Sequence, residues 1–226
     1  MNARHLLVVA ALVGLFPIVH ADTIVSDNFD GPSLNASLWQ TLGPGVVTQS
    51  GGWATTTGRG ILATQDEFAS SVRINGIFSM LDDQEHFSIA FRTDLSSPGA
   101  PFHELTGLHV SFSNDGDQIS IQRYLSPSDW ELLAVKSFSL ITGRLYEFTI
   151  YDTGTNIDLY VNGIPELSAV SSFETGNKVA MYSREFGAGS SIALTHITGP
   201  SVPETGATAL LLLMGLAGLA VRRQYA

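Results

Sequence analysis

Apolar residues follow two different rhythms along this chain. Between residues 22 and 200 they alternate with polar ones: Phe87, Ile89 and Phe91 against Ser88, Ala90 and Arg92; Leu108, Val110 and Phe112 against His109 and Ser111; Ile119 and Ile121 against Ser120 and Gln122. Successive side chains of a strand point to opposite faces, so a period of two predicts strands with one buried face. Asn114-Asp115-Gly116-Asp117 separates the last two runs, and Asp-Gly between alternating segments predicts a hairpin whose turn needs positive φ. A second hairpin is expected from Tyr146, Phe148 and Ile150 to Ile157, Leu159 and Val161 through Asp152-Thr153-Gly154-Thr155-Asn156. Further strands are expected around residues 24–29, 46–49, 60–64, 68–74, 130–138, 179–183 and 192–197. No stretch of this region carries a helical stripe three turns long. About a dozen short strands with Gly, Asn and Asp turns predict an all-β, two-sheet antiparallel sandwich.

The two ends are continuously apolar instead. Arg4 and His5 precede an almost unbroken apolar run over 6–19, and Val19-His20-Ala21 has the pattern a signal peptidase reads. Residues 1–21 are therefore expected to be a secretory signal peptide, cut between Ala21 and Asp22. A buried first helix would need a polar face, and none exists between Leu6 and Phe16. At the other end Val202-Pro203-Glu204-Thr205-Gly206 opens into an uncharged run that stops at Arg222 and Arg223. The 17 residues 205–221 are at the short end of what spans a bilayer as a helix. The Arg pair reads as a cytoplasmic stop-transfer signal, which places the domain before it outside, in agreement with the signal peptide. Pro203 breaks regular structure just ahead of this helix.

A Val-Pro-Glu box, an immediate Leu/Gly/Ala-rich helix and a terminal Arg pair resemble the PEP-CTERM class of protein-sorting tails. The stretch Val202-Pro203-Glu204-Thr205-Gly206-Ala207-Thr208 is similar to the variant with a Val-Pro-Asp-Ser-Gly core. The resemblance implies that residues 199–226 hold an exported protein in the inner membrane until an exosortase, a membrane-embedded cysteine transpeptidase, processes it. Signal peptidase and exosortase are the implied processing partners. The implied destination is the surface or matrix of a Gram-negative bacterium that makes exopolysaccharide. Thr205 stands where a second Pro is usual, and only two Arg close the tail. The same box resembles the Leu-Pro-x-Thr-Gly signal of sortase-anchored wall proteins, with Val for Leu. The scarcity of Lys and the helix directly after the box favour the exosortase reading; an uncleaved single-span anchor is the plain alternative. A GPI signal would need a polar spacer and no basic end.

The middle of the chain carries a second resemblance. Asp27-Asn28-Phe29-Asp30-Gly31-Pro32-Ser33-Leu34 with Ser37-Leu38-Trp39 looks like the opening of many bacterial concanavalin A-like, laminin-G-like jelly rolls. Tyr146-Glu147-Phe148-Thr149-Ile150 followed by Ile157-Asp158-Leu159-Tyr160-Val161-Asn162-Gly163 looks like that family's central hairpin. The implied domain is residues 22–198. A fold of this kind hosts many functions and fixes none of them.

Composition narrows the chemistry. The chain of 226 residues has 11 Lys+Arg, 21 Asp+Glu and no Cys, with a mean hydropathy of +0.19. The absence of Cys removes disulfides, thiolate metal sites and thiol nucleophiles. Without Arg4, Glu204, Arg222 and Arg223 the middle region has a formal charge of −12. That speaks against nucleic acid, which requires basic surfaces, and favours a neutral ligand over an acidic polymer.

The jelly-roll resemblance brings laminarinase-type glycoside hydrolases into view, and those carry Glu-x-Asp-x-Glu on one strand. Here the acidic pairs Asp83-x-Glu85, Asp115-x-Asp117 and Asp129-x-Glu131 each end in an apolar residue, at Phe87, Ile119 and Leu133. Glycoside hydrolysis depends on the spacing of two carboxylates, so a non-enzymatic module is expected, with a hydrolase relative as the alternative. His86, His103, His109 and His196 are too scattered for a metal site and are expected to be exposed strand or loop residues. No metal or other cofactor is expected; calcium stays open without a located site, with Asp82, Asp83, or Asp152 and Asn156 as oxygen donors. Sugars stack on exposed aromatic faces. Trp53, Tyr124, Trp130, Tyr151 and Tyr160 are the candidate glycan platform, while Trp39 is expected in the core.

Overall fold

The computed structural model describes residues 22–69, 71–83, 85–96, 105–126, 128–183 and 189–200, without the side chain of residue 194. The expected signal peptide, sorting box, transmembrane helix and Arg pair lie outside the described residues, as does His103.

Among the described residues fifteen strands follow one another: β1 (Asp22–Asp27), β2 (Trp39–Leu42), β3 (Val46–Ser50), β4 (Trp53–Thr57), β5 (Ile61–Thr64), β6 (Val72–Met80), β7 (His86–Thr93), β8 (Gly107–Ser113), β9 (Gln118–Ser126), β10 (Asp129–Ser137), β11 (Tyr146–Asp152), β12 (Asn156–Val161), β13 (Ile164–Val170), β14 (Lys178–Ser183) and β15 (Ser190–Pro200). No helix of the described residues is long and apolar enough to cross a membrane. The eight-stranded sheet runs β13-β12-β11-β6-β15-β4-β3, with β1 paired to the second half of β15; the seven-stranded sheet runs β10-β9-β8-β7-β14-β5-β2. The expected two-sheet antiparallel sandwich is the observed architecture.

The inward residues are those the alternation marks. Phe78 and Phe148 of one sheet meet Phe87 and Phe112 of the other, with ring centroids between 4.4 and 6.4 Å apart. Burying each such ring is worth roughly 1.5–3 kcal/mol, and these four tie four strands together. A second, smaller cluster sits on the opposite face of the seven-stranded sheet: Ile61, Ala63, Ala90, Ala180 and Tyr182, packed with Leu95 and Leu105. Both faces of β8 are consequently buried, although its sequence alternates. His109 is thereby a buried residue, against the expectation of exposure. Its Nε2 donates to Leu105 O at 2.7 Å, and its Nδ1 accepts from the Tyr182 hydroxyl at 3.0 Å.

The opening motif acquires a physical reason. Asp27 accepts the Phe29 N–H through Oδ1 at 2.8 Å and the Trp39 indole N–H through Oδ2 at 2.8 Å. Phe29 has φ 54°, and its ring lies 5.9 Å from that of Trp39. One carboxylate thus holds both a left-handed backbone residue and the polar edge of a buried indole.

Three expectations change. The strand placed at 68–74 runs instead over Val72–Met80, and β2, β4 and β13 are additional. The turn between β8 and β9 takes its positive φ at Asp117, not at Gly116. Gly116 is needed for space, since a Cβ there would lie 2.9 Å from Ser113 Oγ.

Candidate functional site

Pairing of β12, β11, β6, β15 and β1 aligns their outward residues in two rows across the eight-stranded sheet. One row reads Asp158, Tyr151, Arg73, Thr198, Ile24; the next reads Tyr160, Thr149, Asn75, His196, Ser26. Inward-pointing Phe148, Ile150, Ile157 and Leu159 anchor the aromatic end of these rows in the core. The sheet is therefore a rigid support, and the outward residues form a surface held by backbone ladders rather than loops.

Tyr151 and Tyr160 meet at 5.5 Å with an interplanar angle of 81°. The Arg73 guanidinium lies 4.8 Å from the centre of the Tyr151 ring, a cation–π contact that fixes the ring's orientation. Arg73 Nε donates to Asn75 Oδ1 at 3.2 Å, and the Thr149 hydroxyl donates to the same oxygen at 3.0 Å. Tyr151 remains 37% exposed. Two depressions share Tyr151, one of about 260 Å3 beside Arg73, Thr153 and Thr198, the other of about 570 Å3 beside Thr149, Asp158, Tyr160 and Gly163. An aromatic pair flanked by hydroxyl, amide and charged groups, between two concavities, is suited to stacking and hydrogen bonding with a polyhydroxylated ligand.

The other three platform candidates lie elsewhere. Trp53, on β4 of the same sheet, is half-buried and belongs to neither row. Trp130 is 55% exposed on β10 of the other sheet. Tyr124 is buried, 6.1 Å from the His109 ring, and presents no open face for stacking. The structure thus brings two of the five aromatics together. Arg73, Asn75 and Thr149, which were not singled out from sequence, complete the surface with His196, which the sequence offered only as a scattered strand or loop histidine; their proximity depends on pairing between strands far apart in the chain.

The acidic pairs are engaged in local structure. Asp129 and Glu131 share the Arg123 guanidinium, at 2.6 and 3.5 Å. Glu85 is buried and accepts the His86 N–H at 3.0 Å. Asp115 accepts from Ser113 Oγ and lies against His86 Nε2, both at 2.7 Å. The Ser113 hydrogen bond, reinforced by the nearby His86, holds the Asp115 carboxyl below its ordinary value against a smaller opposing effect of burial. This Ser, His and Asp set is no hydrolytic triad: Nε2 faces both partners, whereas a triad needs its two imidazole nitrogens to serve Ser and Asp separately.

Asp152 is also unsuited to calcium. Its carboxylate is buried and receives Arg92 Nε through Oδ2 at 2.7 Å, while Oδ1 receives Arg92 Nη2 and the Gly154 N–H. A guanidinium on both oxygens excludes a second cation there. Among the described residues no three His, Asp or Glu side chains are grouped to hold a metal ion.

No known family's sequence pattern and no curated protein sequence matches this chain. Its fold is nevertheless shared with solved structures. The Ca2+/Man3GlcNAc-bound form of the VIP36 exoplasmic/lumenal domain is 13% identical, with 74% of this chain and 86% of that one aligned at a TM-score of 0.57. The β-glucanase of Bacillus licheniformis is 12% identical, with 78% and 97% aligned at 0.57. The carbohydrate binding module CBM66 from Bacillus subtilis is 12% identical, with 75% and 98% aligned at 0.50. At such identities the likeness is one of fold, and that fold is the concanavalin A-like jelly roll.

Proposed function

We propose that this domain is a non-catalytic glycan-contacting module of an exported cell-surface or matrix protein. The observation that carries the reading is the outward-facing Tyr151–Tyr160 pair, exposed at Tyr151 and half-buried at Tyr160, oriented by Arg73 and bordered by Thr149, Asn75 and Asp158. A carbohydrate binding module and a domain solved with Man3GlcNAc among the similar folds support it. The acidic balance favours a neutral polysaccharide as the ligand. Export rests on the sequence pattern of residues 1–21 and 199–226: a signal peptidase removes the first segment, and an exosortase acts at residues 202–206 after the helix has held the protein in the inner membrane.

A β-glucanase-like activity is the rival reading, favoured by the likeness to β-glucanases and opposed by the engagement of all three acidic pairs in ion pairs, turns or buried contacts. One experiment separates these readings. Mature protein is isolated from the producing cell, weighed by mass spectrometry, and applied to neutral glycans. The expected result is a chain that begins at Asp22 and lacks its apolar tail, binds glycan without releasing reducing ends, and loses at least tenfold in affinity on Tyr151→Ala or Tyr160→Ala. Release of reducing ends, or full binding by both variants, would refute the module; an intact tail on surface-exposed protein would refute the sorting route.

A further inference from the structure

The two outward rows that hold the tyrosine pair extend well beyond it. They cross five adjacent strands, β12, β11, β6, β15 and β1, and no register shift falls between the two rows at any of the four pairings. Paired strands lie about 4.8 Å apart, so four intervals span about 19 Å. One interval is close to the length that a single pyranose adds to an extended glycan chain.

Each strand along this strip offers a group that a sugar unit can use. Tyr160 on β12 and Tyr151 on β11 supply the aromatic surface. On β6, Arg73 donates through Nε to Asn75, and among the described residues no hydrogen bond engages its Nη groups. The Thr149 hydroxyl donates to Asn75 Oδ1 and keeps its acceptor lone pairs for a ligand. Thr198 on β15 adds a hydroxyl, and Ile24 on β1 an apolar side chain that is 57% exposed. A pyranose has hydroxyls that both donate and accept and an apolar C–H face, so donor, acceptor and apolar positions are all of use to it.

Among the described residues neither end of the strip is walled. Gly163 lines the depression beside Tyr160, and a Cβ there would meet nothing within 4 Å. At the other end the strip runs out on β1, where Asp22, Ile24 and Ser26 are all exposed. The smaller depression lies on the Arg73 and Thr198 side of Tyr151, the larger on the Tyr160 side. Concave surface therefore continues past the aromatic pair in both directions, whereas recognition of a chain end needs one direction closed.

We propose that the ligand is an unbranched, extended neutral glycan bound within its length, lying across the strands from Tyr160 to Ile24 with about one sugar unit per strand. This rests on the glycan reading of the tyrosine pair, which a disaccharide would already satisfy, and adds to it the shape and length of the ligand.

Mature protein from the producing cell is titrated calorimetrically with β-1,4-linked glucose and mannose oligosaccharides of one to six units. Affinity is expected to rise at least tenfold between two and five units in one of these series and to change less than twofold from five to six. Borohydride reduction of the terminal aldehyde should leave hexasaccharide affinity unaltered. Ile24→Ser, at the end remote from the tyrosines, should bring the plateau back from five units to four. Equal affinity at every length from two units upward, loss of hexasaccharide binding on reduction, or a plateau unmoved by Ile24→Ser overturns the extended site and leaves the tyrosine pair as a local glycan contact. Stronger binding of coiled β-1,3-linked glucose oligosaccharides than of either extended series overturns the extended shape. Polysaccharide binding without binding of any of the three series overturns only the site of one unit per strand, and failure of oligosaccharides and neutral polysaccharides alike refutes the glycan reading itself.

Discussion

Arg92 shows how much one side chain can carry in this sandwich. It lies at the end of β7 with φ 50°, and its guanidinium reaches across to Asp152 at the end of β11 in the other sheet. Nη1 also donates to the carbonyls of Ser171 at 3.1 Å and Phe173 at 3.4 Å. The pair is buried on both sides, so removing one partner leaves an uncompensated charge, at a cost of about 3–5 kcal/mol. Arg92→Met and Asp152→Asn are each expected to fall in that range by denaturant unfolding. The double variant Arg92→Met/Asp152→Leu should cost less than the sum of Arg92→Met and Asp152→Leu, because no charge is stranded; strict additivity would show that the pair does not couple the sheets. At this scale the sequence was partly legible. Alternation placed Tyr151 and Tyr160 opposite their apolar neighbours, and both are outward. It placed Asp152 among possible metal donors because the partner, Arg92, lies 60 residues away in a run that reads only as strand.

Strands became visible in the sequence where large inward residues alternated over several positions, as in β7, β8, β11 and β12. β4 reads Trp-Ala-Thr-Thr-Thr, and its inward residues are Ala54 and Thr56. Thr56 meets Ser183 of the opposing sheet at 3.0 Å, a polar contact across the core that leaves no hydrophobic alternation to read. β13 is masked by Pro165, which is tolerated because the strand is an edge and its register shifts at that point. Asn162 and Gly163, with φ 51° and 75°, close the two-residue turn between β12 and β13, the geometry that Asn-Gly favours. Two glycines provide a quantitative contrast. A Cβ on Gly163 would meet nothing within 4 Å, so Gly163→Ala should cost only the conformational penalty, about 1 kcal/mol. A Cβ on Gly189 would lie 1.9 Å from Thr56 O at φ 91°, so Gly189→Ala must displace β4 from the start of β15. Thermal unfolding is expected to rank Gly189→Ala far below Gly163→Ala, and equal losses would mean that the close approach is not rigid.

For the molecule as a whole, acidity sets how stability responds to pH. The middle region carries 20 acidic and 8 basic side chains, and without Cys its fold rests on packing and hydrogen bonds. Two carboxyls have a native environment that favours ionisation. Burial pushes Asp94 up, but hydrogen bonds from the Thr106 and Ser96 hydroxyls and the Ser96 N–H outweigh it and leave the carboxyl below its ordinary value. Asp115 is lowered chiefly by the Ser113 hydrogen bond, with a smaller contribution from the charge of His86. A carboxyl whose folded value lies below its unfolded value binds more protons when unfolded, so its contribution is present at neutral pH and is lost as pH falls through the folded value. Both groups act in the same direction, from about pH 4 downward. The apparent Tm should therefore decline on acidification below that point. Thr106→Val and Ser113→Ala should each lower Tm at neutral pH and flatten the acid decline, because each removes a hydrogen bond that favours the charged carboxyl. If the variants' Tm curves run parallel to that of the unaltered protein through the acid range, neither carboxyl contributes to the pH dependence of folding.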